Sequence, residues 1–154
     1  MEEITFSEII SYAKIAEDNA KNFYLDAAKG ANLANVREYL ESLAAEEQTH
    51  IDYLEGLNKK IQAGGTVPSM DKEIHSLGYA EFIKSEPLDP DATLKDVLEA
   101  AMVKEKEAIQ TYEKFARFID NDEARKLFNF LADQERKHLK RFEDEYDDLQ
   151  DQYY

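Results

Sequence analysis

Four segments of this chain carry apolar or small residues at alternating steps of three and four, and each stripe is interrupted near its middle by a carboxylate. That spacing is the seam of a helix packed against others, and nowhere is the period of two that marks a strand sustained. Segment A runs Ile10, Ala13, Glu17, Ala20, Tyr24, Ala27; segment B runs Val36, Leu40, Leu43, Glu47, His50, Leu54, Leu57, Ile61. Segment C gives Leu98, Ala101, Glu105, Ala108, Tyr112, Phe115, and segment D gives Ala124, Phe128, Leu131, Glu135, His138, Phe142. The second pair repeats the first at a constant offset of 88 residues without a gap: Glu17, Tyr24, Glu47 and His50 return as Glu105, Tyr112, Glu135 and His138. Arg37 and Arg125, Leu43 and Leu131, and Ala44 and Ala132 coincide at the same offset. The pattern therefore predicts two helical hairpins related by internal duplication, each contributing one lone Glu and one Glu-x-x-His to the middle of a shared core.

The expected helices span about 5–28, 33–62, 93–118 and 121–147 within a single domain covering residues 1–154. Thr5 with Glu8, and Thr93 with Asp96, have the spacing of a capping box, and Asn32 is the candidate cap of segment B. Short A–B and C–D turns predict antiparallel neighbours within each hairpin. Arg37 and Arg125 are expected to pair with nearby carboxylates. Residues 63–92 differ in character, with Ala63-Gly64-Gly65, Pro68, Pro87 and Asp89-Pro90 punctuating any helix. A structureless loop of this length is unusual in a compact domain, so a crossover packed on the bundle is expected. It has room for a short helix between Asp71 and Ser85 with Ile74, Leu77 and Phe82 inward, and His75 reads as a surface or crossover residue. The acidic tail from Glu143 to Tyr154 either extends the last helix or frays.

Composition narrows the functions available. A chain of 154 residues is long enough for one domain with a core of its own. A formal net charge of −15 and a pI near 4.6 oppose attraction to phosphate backbones or anionic membranes. The N-terminus lacks a basic region followed by an apolar run, and no segment approaches the roughly 20 apolar residues that span a bilayer. A cytoplasmic protein is expected. With no cysteine in the chain, disulfides, thiolate catalysis, iron–sulfur clusters and Cys-ligated zinc are excluded, leaving oxygen and imidazole nitrogen as metal donors.

Residues three apart share a helix face, so Glu47 and His50 can reach one ion, as can Glu135 and His138. Four carboxylates buried without partners would each face a desolvation penalty of several kcal/mol and would repel one another. Two divalent cations balance four carboxylates, and neutral imidazoles complete the set without adding charge. Six protein ligands on two ions, with Glu47 and Glu135 placed to bridge, leave coordination positions open, as in a catalytic site. The sulfur-free donor set suits iron or manganese and accepts zinc. Tyr24 and Tyr112 lie two turns along the seam from Glu17 and Glu105, where a phenol can hydrogen-bond a carboxylate of a neighbouring helix.

The two Glu-x-x-His motifs, each preceded by a helix with a mid-stripe Glu, resemble the ferritin-like di-iron carboxylate proteins, and the rubrerythrin branch most of all. The resemblance covers residues 5 to 146 apart from the crossover. It implies an all-α four-helix bundle with a long crossover, and two iron ions held by Glu17 and Glu105 as terminal ligands. Glu47 and Glu135 would then bridge, with His50 and His138 binding one iron each. It further implies oxidation of Fe(II) by hydrogen peroxide or dioxygen in detoxification. A homodimer is the expected assembly. The alternatives are ferritin-like iron handling and a bundle in which metal is only structural. Two departures stand out. Rubrerythrins proper end in a four-Cys rubredoxin-type domain, so electrons here are expected from a separate donor protein. The extra carboxylate one turn after the third helix's Glu is replaced by Ala108, matching Ala20, and Glu107 is expected to point away from the seam.

Overall fold

The computed structural model describes residues 6–62, 86–119 and 122–151. Four helices occur among them: α1 (Phe6–Gly30), α2 (Ala34–Gln62), α3 (Leu94–Phe118) and α4 (Asp122–Asp151). These match the four periodic segments, and α4 continues four residues beyond its expected end, taking in much of the acidic tail. The proposed short helix at 71–85, His75 and the Thr5 cap lie outside the described residues.

Side-chain pairing fixes the directions of the helices. Ser7 meets Asn58 and Lys14 meets Glu55, so α1 and α2 are antiparallel. Glu99 pairs with Tyr146 and Phe115 packs on Phe128, which makes α3 and α4 antiparallel as well. Across the hairpins, α2 runs against α4, with Glu46 on Arg141 and Tyr53 on Phe130. Helix α1 likewise runs against α3, with Glu17 on Tyr112 and Phe23 on Lys104. Helices α2 and α3 therefore point the same way, so the end of α2 and the start of α3 lie at opposite ends of the bundle.

The helix ends show why the elements stop where they do. Thr93 caps α3 through a reciprocal box: its hydroxyl accepts from the Asp96 amide, and the Asp96 carboxylate accepts from the Thr93 amide. Asn32 does not cap α2. Its side-chain amide donates to Asp91 at 2.6 Å and its backbone N–H to Pro90, tying the α1–α2 turn to the approach into α3. The helix begins one residue later than expected: α2 starts at Ala34 and the Leu33 carbonyl accepts its first bond, from Arg37, which puts Leu33 in the cap position. The duplicated arginines meet expectation only in part. Arg37 donates to the Ala31 carbonyl at 2.9 Å, and Arg125 to the equivalent Ile119 carbonyl at 3.0 Å. Each satisfies a carbonyl left unpaired after a helix C-terminus, and Arg125 alone adds the expected carboxylate, Asp122.

The core is divided in two. Ile9, Ile10, Ala13, Leu54, Tyr112, Phe115, Phe128 and Leu131 form one apolar cluster, at the α3–α4 turn end. Tyr24, Val36, Leu40, Leu43, Val97, Leu98, Ala101 and Phe142 form the other, at the α1–α2 turn end. On every helix the residues that switch from one cluster to the other flank the interrupting carboxylate. The bundle is therefore a sandwich along its own axis, apolar at both ends of the core and acidic between them.

Candidate metal centre

Glu17, Glu47, Glu105 and Glu135 are all buried, none more than 7% exposed. The duplication brings them to one level because each occupies the same seam position of its hairpin, and the two hairpins pack face to face. His50 and His138 enter from α2 and α4, one turn beyond Glu47 and Glu135, with their rings stacked at 4.8 Å and 4° apart. All six residues expected to form the site thus meet in one layer.

His50 Nδ1 lies 3.4 Å from Glu17 Oε2, 3.6 Å from Glu47 Oε2 and 3.5 Å from Glu135 Oε1. His138 Nδ1 lies 3.5 Å from Glu135 Oε2 and 3.9 Å from Glu105 Oε1. Glu135 therefore presents one oxygen to each histidine, the disposition expected of a bridge, whereas Glu47 faces Glu17 and His50. Donor atoms of Glu17, Glu47 and His50 lie within 4.8 Å of one another, and so do those of His50, Glu135 and His138. A cavity of about 20 Å³ adjoins the four carboxylates, lined also by Ala16, Ala20, Lys104, Glu107 and Ala108.

The electrostatics are those of an acidic layer held together by protons. Burial works to lift the Glu17 carboxyl, but hydrogen bonds with Glu47, His50 and Tyr112 outweigh it and hold the group at about 2. Burial, reinforced by the neighbouring Glu17 charge, pushes Glu47 well above the usual carboxylate range. Glu105 is raised strongly for the same reason, with Glu135 as its main charged neighbour. Burial opposes the imidazolium of His50, yet Glu17, Glu47 and Glu135 overcome that and push it up to about 11. Even so, Glu47 Oε2 and Glu105 Oε2 are buried with no hydrogen-bond partner. A buried carboxyl oxygen without a partner is costly, and the convergent oxygen and nitrogen donors of Glu17, Glu47, His50, Glu135 and His138 fit metal cations that would replace these protons.

The tyrosines are not equivalent despite the duplication. Tyr112 donates to Glu17 Oε1 at 2.8 Å and fixes that carboxylate, as expected. Tyr24 is equally buried, edge-on to Phe23, but makes no matching bond to Glu105 among the described residues. Burial and the charges of Glu47, Glu105 and Glu135 raise its phenol, so it stays neutral. Glu107 departs from expectation: it is half-buried and borders the cavity. The inward direction of α3 is set jointly by Ala101, Glu105, Ala108 and Tyr112, so a long side chain on the flank still reaches the cavity edge. Lys104, beside it, carried no signal in the periodicity because its stem occupies the same flank.

A sequence model described as Rubrerythrin matches residues 8–146. Among solved structures, a hypothetical protein from Pyrococcus furiosus is 24% identical with a TM-score of 0.55, over 92% of this chain and 87% of that one. A Thermotoga maritima protein described as ferritin-like diiron-carboxylate is 19% identical with a TM-score of 0.56, over 95% of this chain and 97% of its own. At these identities the likeness establishes the fold, a ferritin-like four-helix bundle. No curated protein matches the chain.

Proposed function

The chain belongs to the rubrerythrin family, and from that premise we propose that it is a di-iron protein whose buried layer serves the reduction of hydrogen peroxide or dioxygen. The observation that carries this reading is the pair of unpartnered buried oxygens, Glu47 Oε2 and Glu105 Oε2, beside two sets of convergent donors, Glu17 with Glu47 and His50, and His50 with Glu135 and His138. Glu17, Glu47, Glu105, Glu135, His50 and His138 would hold the metal. Iron held there would supply redox chemistry, one electron from each of two ferrous ions, which with two protons would suffice to convert one hydrogen peroxide to two waters.

The protein's own contribution is position and exclusion. Tyr112 holds one oxygen of Glu17, which leaves the other facing His50. Glu135 spans the two histidines, so both halves of the site are coupled through one side chain. The apolar clusters above and below exclude bulk water, which strengthens every charge interaction within the layer. Protons held by Glu47, Glu105 and His50 in the metal-free protein must leave when cations bind, so uptake is coupled to proton release. Electrons to restore the ferrous state would come from a separate donor protein.

The test is stopped-flow mixing of Fe(II)-loaded protein with hydrogen peroxide and, separately, with dioxygen. Oxidation faster than that of free Fe(II) with at least one oxidant is expected. Rates equal to free Fe(II) with both would reject the reading.

A further inference from the structure

We infer that Lys104 is the gate of the metal cavity, a residue that sets how fast ions reach the carboxylate layer; this rests on the di-metal reading above. The cavity has an inner lining of Glu17, Glu47, Glu105 and Glu135 with Ala16 and Ala108, all buried, and an outer lining of Ala20, Lys104 and Glu107. Ala20, Lys104 and Glu107 are half-buried, which locates the outer lining on the solvent side of the layer, along the line where α1 meets α3.

Duplication makes this position informative. Ala20 and Ala108 are equivalent, small and on opposite helices, so neither obstructs the opening. The equivalent of Lys104 is Ala16, and the equivalent of Glu107 is Asn19. Symmetry therefore fails at the opening, where α3 places a long cationic side chain opposite an alanine of α1. The Lys104 ammonium sits 4.0 Å from the centre of the Phe23 ring, a cation–π contact that fixes the stem across the α1–α3 line. The equivalent of Phe23 is Thr111, whose hydroxyl turns back to the Glu107 carbonyl. The aromatic seat for the ammonium is therefore as asymmetric as the lysine itself.

Charge and bulk act together here. The chain as a whole is strongly acidic and draws cations toward it, but a cation approaching through this opening meets the Lys104 ammonium and its four-carbon stem, with Glu107 on the same rim offsetting part of that charge. For a divalent ion crossing a solvated opening, one adjacent positive charge slows passage on the order of fivefold. The residue that retards uptake also retards escape, so affinity changes less than the rates do.

The experiment uses Co(II) as the probe, followed by its visible absorption as it binds the metal-free full chain, and by its loss to excess chelator. Lys104→Ala and Lys104→Met are expected to load about fivefold or more faster than the native protein, with release accelerated in parallel. Lys104→Arg, which keeps charge and length, is expected to stay within about twofold. Equal loading rates for the native protein, Lys104→Ala and Lys104→Met would overturn the gate and leave the metal centre standing. Failure of the native protein to bind Co(II) at all would instead remove the centre on which the gate depends.

Discussion

The protons that hold the acidic layer together make the metal-free and metal-loaded forms respond to pH in opposite directions. The perturbation is removal of metal with chelator, followed by a rise from about pH 5.5 to about pH 7.5. In the folded metal-free protein Glu47 and Glu105 have carboxyl groups raised above 4.5. A raised acid is neutral in the fold while the unfolded chain ionises, so it lowers stability progressively as pH rises above 4.5. His50, raised from 6.5 to about 11, stabilises the fold fully below 6.5 and loses that contribution as pH climbs toward 11. Glu17, held at about 2, gives its full stabilisation above 4.5 and is constant across this window. Glu47, Glu105 and His50 therefore all act in the same direction inside the window. A proton retained by the folded site alone is worth about 1.4 kcal/mol per pH unit. Counting a single proton shared among the coupled carboxylates, the rise lowers stability by about 3 kcal/mol, or roughly 6–12 °C in Tm for a domain of this size. In the loaded protein protons compete with metal for the same ligands, so Tm should climb over the same interval. Differential scanning calorimetry in chelator and in excess metal reads both slopes. Because general repulsion among surface acids also grows with pH, the double variant Glu47→Gln, Glu105→Gln is the control, and its metal-free slope should be shallower. A metal-free Tm that is flat or rises with pH would refute the linkage.

Other expectations follow from single side chains. Glu135→Ala removes the carboxylate that spans both histidines and should abolish stoichiometric metal binding, measured by titration with Co(II). Tyr112→Phe deletes a buried bond to a charged acceptor while keeping the ring, and should destabilise the metal-free protein by about 1.5–3 kcal/mol in urea unfolding. Phe142→Ala, at 1% exposure within the cluster nearer the α1–α2 turn, should cost about 3–5 kcal/mol in the same measurement. Thr93→Ala breaks the α3 capping box and should cost about 1 kcal/mol.

Much of this molecule was legible because the duplication acts as an internal control on the periodicity. A single Glu on a helix carries little information, but Glu17 and Glu105 occupy matching seam positions, each followed by a Glu-x-x-His on the next helix, and that pattern alone places them in the core. The helix ends were less legible, since they depend on contacts distant in sequence. Asn32 has the chemistry of a cap, but the first helical bond goes to the Leu33 carbonyl, and Asn32 instead ties the turn to Asp91 and Pro90. Arg37 and Arg125 have the charge for carboxylates, and only the folded turn exposes the carbonyls they satisfy. The flank of α3 was illegible for another reason. A seam assignment separates inward from outward residues, whereas Lys104 and Glu107 lie between and reach the cavity edge through the length of their side chains. The duplication also overstated symmetry: Tyr112 bonds Glu17, while Tyr24 leaves Glu105 Oε2 without a partner.

The central claim is that the buried acidic layer holds two metal ions. It is tested most directly by the metal content of protein expressed with iron supplied and purified without chelator, determined by mass spectrometry against the concentration of folded chain. Close to two iron ions per chain is the expected result, falling well below one in Glu135→Ala. Less than one ion per chain in the native protein would contradict the claim.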